Sequence, residues 1–210
     1  MTLGLRERKK LDTRRALSDA AVELAFERGL ENVTRDAIAA RAGVSLRTFN
    51  NYFTGKYEAI AYRQLERLRR SLVSLRNKPA DEPLWTAITE AILEPLESEG
   101  VPSMIPSARQ LGEVRKVLLT PEIRAAVSKE LGDEWVEAIA ARTGTDPTHD
   151  MYPRLVTGII RAVCDAAMDA YLTTDPPVPI TSLLRQGFAD VVVGVPAPEA
   201  HCPANPEVHH

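Results

Sequence analysis

Only two cysteines occur in 210 residues, Cys164 and Cys202, far apart and in unlike settings. A disulfide framework is excluded, which leaves a packed core to carry the fold. No run of about 18 apolar residues exists, so no segment is expected to span a bilayer. The opening stretch MTLGLRERKKLDTRRAL is basic but lacks the apolar block of a secretion signal. There is no convincing strand-like alternation and no internal repeat. Patterns for chemistry are missing too: no Ser/His/Asp set, no paired carboxylates and no glycine-rich phosphate loop stand out. His149, in a loop beside Asp146 and Asp150, is too little for a metal site, and Cys164 reads as a small buried hydrophobe. The expectation is a cytoplasmic non-enzyme without cofactor or metal.

What is present is the composition of a globular protein, 44% hydrophobic and 26% charged. The formal net charge of −3 conceals an asymmetry. Residues 1–78 hold 17 Lys and Arg against 9 Asp and Glu, a net of +8. The rest hold 9 against 20, a net of −11. A basic head that meets a polyanion, on an acidic body that repels it, fits this division.

Apolar residues recur at helical spacing almost throughout. The first helix spans roughly 8–28, with Leu17, Ala20, Ala21, Leu24 and Ala25 on one face, and Gly29 ends it. Thr34 caps a short helix to Arg41, Gly43 makes a turn, and Ser45 caps a helix to about Tyr52. A longer helix runs to about Arg76 and buries Ala61, Leu65, Leu68, Leu72 and Leu75. The polar, proline-bearing stretch from Asn77 to Pro83 is the best domain boundary. Beyond it helices are expected at roughly 84–98, 104–119, 121–143, 150–174 and 180–193. Pro95 should kink or end the first of these, and Thr120 and Pro121 should start the third. From 194 onward the proline-rich tail carries no period and should be disordered. The helix at 150–174 is apolar around most of its girth, which calls for cover on two sides, one of them a partner subunit.

The segment from Thr34 to Lys56 carries the clearest signal. Ile38, Ala39, Ala42 and Val44 are small or apolar where two short helices must pack closely. Gly43 permits the positive φ of a tight turn. Leu46, Arg47, Thr48, Asn50 and Asn51 fall at or near the half of the second helix that meets base edges in a major groove, while Phe49 and Phe53 anchor its inner face. Arg47 suits guanine O6 and N7, and Asn50 and Asn51 suit adenine N6 and N7. Lys56 sits at a helix start, where the dipole disfavours a cation and a phosphate partner would compensate.

The run AIAARAGVSLRTFNNYFTGK resembles the helix-turn-helix of the TetR family of one-component regulators, and the similarity extends over roughly residues 10–65. The resemblance implies an all-α subunit of two domains. An N-terminal three-helix helix-turn-helix DNA-binding domain (8–76, with its linking helix) would precede a C-terminal helical ligand-binding and dimerisation domain (84–193). It implies phosphate contacts from Thr34, Arg35, Thr48, Tyr52 and Lys56, with Ser45 at the helix start, and groove-facing roles for Leu46 and Arg47. The chain departs from the family at Asn50, where an aromatic is usual, at Asn51, usually another basic or polar residue, and at Tyr52, where His is common.

Candidate pocket residues are Trp85, Ile88, Ile92, Met104, Leu111, Trp135, Ile159 and Met168. Aromatics are only 5%, so these liners are mainly aliphatic or Met and suit a hydrophobic effector. The stretch 104–172 also resembles an actinobacterial subset of the family, some of whose members sense acyl-CoA-like ligands. The dimer interface is placed on Val156, Ile160, Val163, Ala167, Tyr171, Leu184, Phe188 and Val191. The expectation is a homodimeric repressor bound to a palindromic double-stranded DNA operator and released by a hydrophobic small molecule. Two alternatives stay open: an architectural or activating DNA-binding protein without effector, and a small-molecule-binding or enzymatic body on a vestigial head.

Overall fold

The computed structural model describes residues 4–100, 120, 121, 125, 129–174 and 178–195. Every regular element among them is helical: α1 Leu5–Arg28, a single 3-10 turn Leu30–Asn32, α2 Arg35–Arg41, α3 Leu46–Tyr52, α4 Lys56–Asn77, α5 Leu84–Ser98, α6 Asp133–Thr143, α7 Met151–Thr173 and α8 Ile180–Val192. None is long and apolar enough to cross a membrane.

Two hydrophobic cores form, and both use α4. The first gathers Leu17, Leu24, Ile38, Phe49, Phe53 and Tyr62 under α1, α2 and α3. It draws on the first turns of α4, with Leu65 half-buried at its margin rather than fully enclosed as the helical period suggested. The second begins at Leu68, Leu72 and Leu75 of α4 and takes in Ile88 and Leu93 of α5, Trp135 and Ile139 of α6, Val156 and Ile160 of α7, and Phe188 of α8. α4 packs on α1, α5 and α6, α7 packs on α6 and α8, and α8 also packs on α5. Each fully enclosed Leu, Ile or Phe contributes roughly 1.5–3 kcal/mol by leaving water.

One helix expectation changes, that for 121–143, while α5 takes the bounds expected of it. α5 continues through a buried Pro95 to Ser98. The proline costs α5 its bond to the Ala91 carbonyl, and with only three residues beyond it little helix is left to misalign. The helix expected over 121–143 is interrupted: a bend at Leu131 and Gly132 separates helical residues up to Glu130 from α6. Glycine permits this, because a Cβ at position 132 would stand 2.7 Å from the Lys129 carbonyl oxygen. Leu131, Trp135 and Ile139 of the expected buried stripe do face the core, whereas Ile123 and Val127 lie outside the described residues. The helix expected at 104–119 and the tail from 196 onward also lie outside them.

Candidate nucleic-acid interface

Local chemistry builds the α2–α3 unit. Thr34 turns its hydroxyl back to accept from the Ala37 N–H at 3.2 Å, and Ser45 does the same for Thr48 at 3.1 Å. Both caps satisfy amides that the first turn of a helix leaves without partners. Between the helices Gly43 takes φ +69°, and the Val44 N–H closes the turn on the Ala39 carbonyl at 2.9 Å. A Cβ on Gly43 would meet nothing within 4 Å, so the backbone angle alone demands glycine.

The unit is then seated on its supports. Phe49 and Phe53 are buried with ring centroids 5.8 Å apart, and Tyr62 of α4 meets Phe53 edge-on at 5.7 Å. The Arg14 guanidinium of α1 lies over both Phe53 and Tyr62, 5.3 and 4.7 Å from their centroids. α2 is fastened to α1 by Arg41, which holds Glu27 through two bonds of 2.9 and 2.6 Å and Glu23 through one of 3.2 Å. Those bonds from Arg41 hold the Glu27 carboxyl below its usual range.

With Phe49 turned inward, the outward arc of α3 is Leu46, Arg47, Asn50 and Asn51, all exposed. Thr34, Arg35 and Ser45 are exposed beside it. α3 carries no acidic residue, so nothing on it repels phosphate. Thr48 is half-buried, its Oγ1 2.9 Å from Ser45 Oγ, and Tyr52 packs against the head core. Lys56 differs from expectation. Its Nζ donates to the Leu30 carbonyl at 2.8 Å and lies 3.4 Å from that of Glu31, tying the start of α4 to the 3-10 turn instead of standing free for a phosphate.

Comparison with known proteins agrees with this geometry. The family "Bacterial regulatory proteins, tetR family" matches residues 17–60, and "MftR C-terminal domain" matches residues 82–196. The regulator TcmR of Streptomyces glaucescens is 31% identical over 198 residues, 89% of this chain and 85% of that protein. This chain belongs to the TetR family. A putative mycofactocin biosynthesis regulator, MftR of Mycobacterium tuberculosis (strain ATCC 25618 / H37Rv), is 30% identical over 195 residues, 90% of this chain and 93% of that one. Among solved structures, the fatty acid degradation regulator FadR of Bacillus halodurans shares the fold with TM-score 0.58 at 19% identity, covering 93% of this chain and 98% of that one. FadR of Thermus thermophilus, in complex with lauroyl-CoA, gives TM-score 0.56 at 20% identity, covering 91% and 100%. The protein is thus a TetR-type transcriptional regulator, with the family's helix-turn-helix head and helical C-terminal domain.

The body of this TetR-family subunit gathers its described candidate residues in or against one core. Of the candidate pocket residues, Ile88, Ile92 and Trp135 are buried members of the core, and Trp85, Ile159 and Met168 pack half-buried against it. Met104 and Leu111 lie outside the described residues. A groove of about 430 Å³ lies elsewhere, lined by Leu75, Arg76, Lys78, Glu137, Ala138 and Arg142 among others. Arg142 is committed there to the carbonyls of Lys78, Pro79 and Glu82 at 3.3, 2.5 and 2.8 Å, clamping the α4–α5 loop. The proposed dimer face needs correction. Val156, Ile160, Val163, Ala167, Leu184 and Phe188 are buried in the subunit's own core, with Tyr171 and Val191 packed half-buried against it. Side chains spent on one's own core are not offered to a partner. The outward stripe of α7 is instead Met151, Leu155, Gly158, Ala162 and Ala166. Cys164 packs against the core, where burial pushes its thiol up to about 12.

The bracing roles of Arg14 and Arg41 inside the head were not legible in the sequence, where Arg14 read only as part of a basic N-terminal arm that could add electrostatic affinity for DNA or track its minor groove. Their partners, Phe53 and Tyr62 for one, Glu23 and Glu27 for the other, lie on other helices, and no local spacing announces them.

Proposed function

We propose that this regulator is a homodimeric repressor whose two heads place α3 in successive major grooves of a palindromic operator. A small effector with a long apolar chain, of the acyl-CoA class, releases it. The head (8–76) reads DNA and the body (84–193) binds effector and partner. The reading is carried by the outward arc of α3: Leu46, Arg47, Asn50 and Asn51 held clear of the core by a buried Phe49. Within that arc Arg47 suits a guanine edge and the two asparagines suit adenine. Thr34, Arg35 and the capped start of α3 suit flanking phosphates.

The lauroyl-CoA held by a structural neighbour supports the effector class. Dimerisation is supported by the stripe on α7, where Leu155 is 49% exposed and Gly158, Ala162 and Ala166 leave room for a second helix to approach. Effector and operator would bind the same two-state dimer with opposite preference, so each weakens the other by the same factor.

The test is an in vitro selection of the operator followed by binding measurements across salt concentrations, with lauroyl-CoA, coenzyme A and laurate added separately. The expected result is affinity falling steeply with salt, and lauroyl-CoA alone weakening binding by about 5- to 150-fold. Failure to select any sequence overturns operator recognition. A selected operator indifferent to lauroyl-CoA and to its longer and shorter homologues overturns the effector class.

A further inference from the structure

The two cores meet along α4 between Leu65, which packs against the head core, and Leu68, which belongs to the body core. Across this seam runs a chain of charges. Arg63, Arg67 and Arg70 stand at spacings of four and three, on one face of α4. All three converge on Glu99, the residue just past the end of α5. Arg70 Nη2 reaches Glu99 Oε1 at 2.9 Å, Arg67 Nε reaches Oε2 at 2.8 Å, and Arg63 Nη2 lies 3.7 Å from Oε2. Arg70 also donates to the Pro95 carbonyl at 2.9 Å, so it holds the last turn of α5 as well as its carboxylate.

The chain continues into the head. Arg63 Nε is 3.2 Å from Asp19 of α1, and Arg15 of α1 donates to Glu66 of α4 at 2.8 Å. The Glu99 side chain is 15% exposed, and each of its oxygens is held. Apolar contact is non-directional and tolerates sliding. Charge-assisted bonds to both oxygens of one carboxylate fix an angle.

We propose that Glu99 is a positioning residue for operator recognition: it sets the angle of the head on the body, and through it the half-site spacing the dimer accepts. The proposal rests on the operator-binding dimer described above. Adding one base pair between half-sites moves the second site along the duplex and turns it by roughly 34°, so a rigid head rejects it and a loosened head follows it.

The test uses the full-length protein, its selected half-site, and duplexes carrying two copies of it at stepped spacings. Wild type should lose about tenfold or more in affinity on a one- or two-base-pair change. Glu99→Gln should flatten that profile to within about threefold while base preference inside each half-site and binding to a single half-site stay unchanged. Glu99→Asp should restore part of the selectivity. Thermal melting of each variant checks folding, and Arg67→Gln, which removes one of the three bonds, serves if Glu99→Gln does not fold. A variant profile parallel to wild type, unchanged or uniformly weakened, overturns the proposal. A wild-type protein that binds no duplex overturns the operator reading itself.

Discussion

Arg47 stands exposed on α3 with no carboxylate on its own helix to hold it. Arg47→Ala should cost roughly 1–3 kcal/mol against the selected operator and relax preference at one position per half-site. Titrating operators substituted at single positions checks this, and equal weakening of every sequence would refute it. Lys56 calls for a different outcome. Its amine bonds the Leu30 carbonyl, so Lys56→Met should lower stability by about 1.5–3 kcal/mol in chemical denaturation. The slope of log affinity on log salt should stay the same; a fall of about one unit would give Lys56 a phosphate instead. At this scale legibility follows distance along the chain. The caps of Thr34 and Ser45 and the turn at Gly43 are complete within five residues, so spacing reveals them. The partner of Lys56 lies 26 residues upstream, and a lysine at a helix start reads the same whether its amine meets a phosphate or a carbonyl.

The contact of α7 with α8 depends on Gly187, where an added Cβ would stand 2.8 Å from Val163 Cγ1. Valine in a helix has essentially one rotamer and cannot turn aside. Gly187→Ala should therefore destabilise the body by about 1–3 kcal/mol. Adding Val163→Ala should recover part of the loss, a non-additivity that a double-mutant cycle of melting curves will show. The clasp of Arg41 on Glu27 makes a prediction about acid. With its carboxyl held below the usual range, Glu27 stabilises the α1–α2 contact above the ordinary carboxylate pKa. That contribution is lost as pH falls through the lowered value. Arg41→Ala should thus lower the melting temperature near neutral pH and converge on wild type in strong acid. Helical period located the described helices well but did not foresee that Val156, Ile160, Val163 and Ala167 of α7 are taken up by the subunit's own core. A helix apolar nearly all round carries no phase of its own. Whether Val156 or Leu155 looks inward is decided by where α6 and α8 pack.

For the whole molecule, the stripe of Met151, Leu155, Gly158, Ala162 and Ala166 lies outside the core, so carboxylates there should spare the subunit fold. The double variant Leu155→Glu, Ala162→Glu should sediment as a monomer that keeps its helical content and melts cooperatively, at a temperature lowered only by the loss of the dimer. Its operator affinity should drop by about 100-fold or more, because two half-sites no longer bind as one unit. A variant that stays dimeric would place the partner elsewhere. The split of charge between head and body was legible at this scale by counting residues. The joint at Glu99 was not, because nothing in the spacing of Arg63, Arg67 and Arg70 names their partner and only folding brings a carboxylate from position 99 against them. The two cores share α4 yet divide its length, one ending near Leu65 and the other starting at Leu68. Recombination finds a natural crossover there: a foreign body grafted within those three residues would leave both interiors whole. Such a hybrid would need little more than the three arginines and an acidic residue waiting where α5 ends.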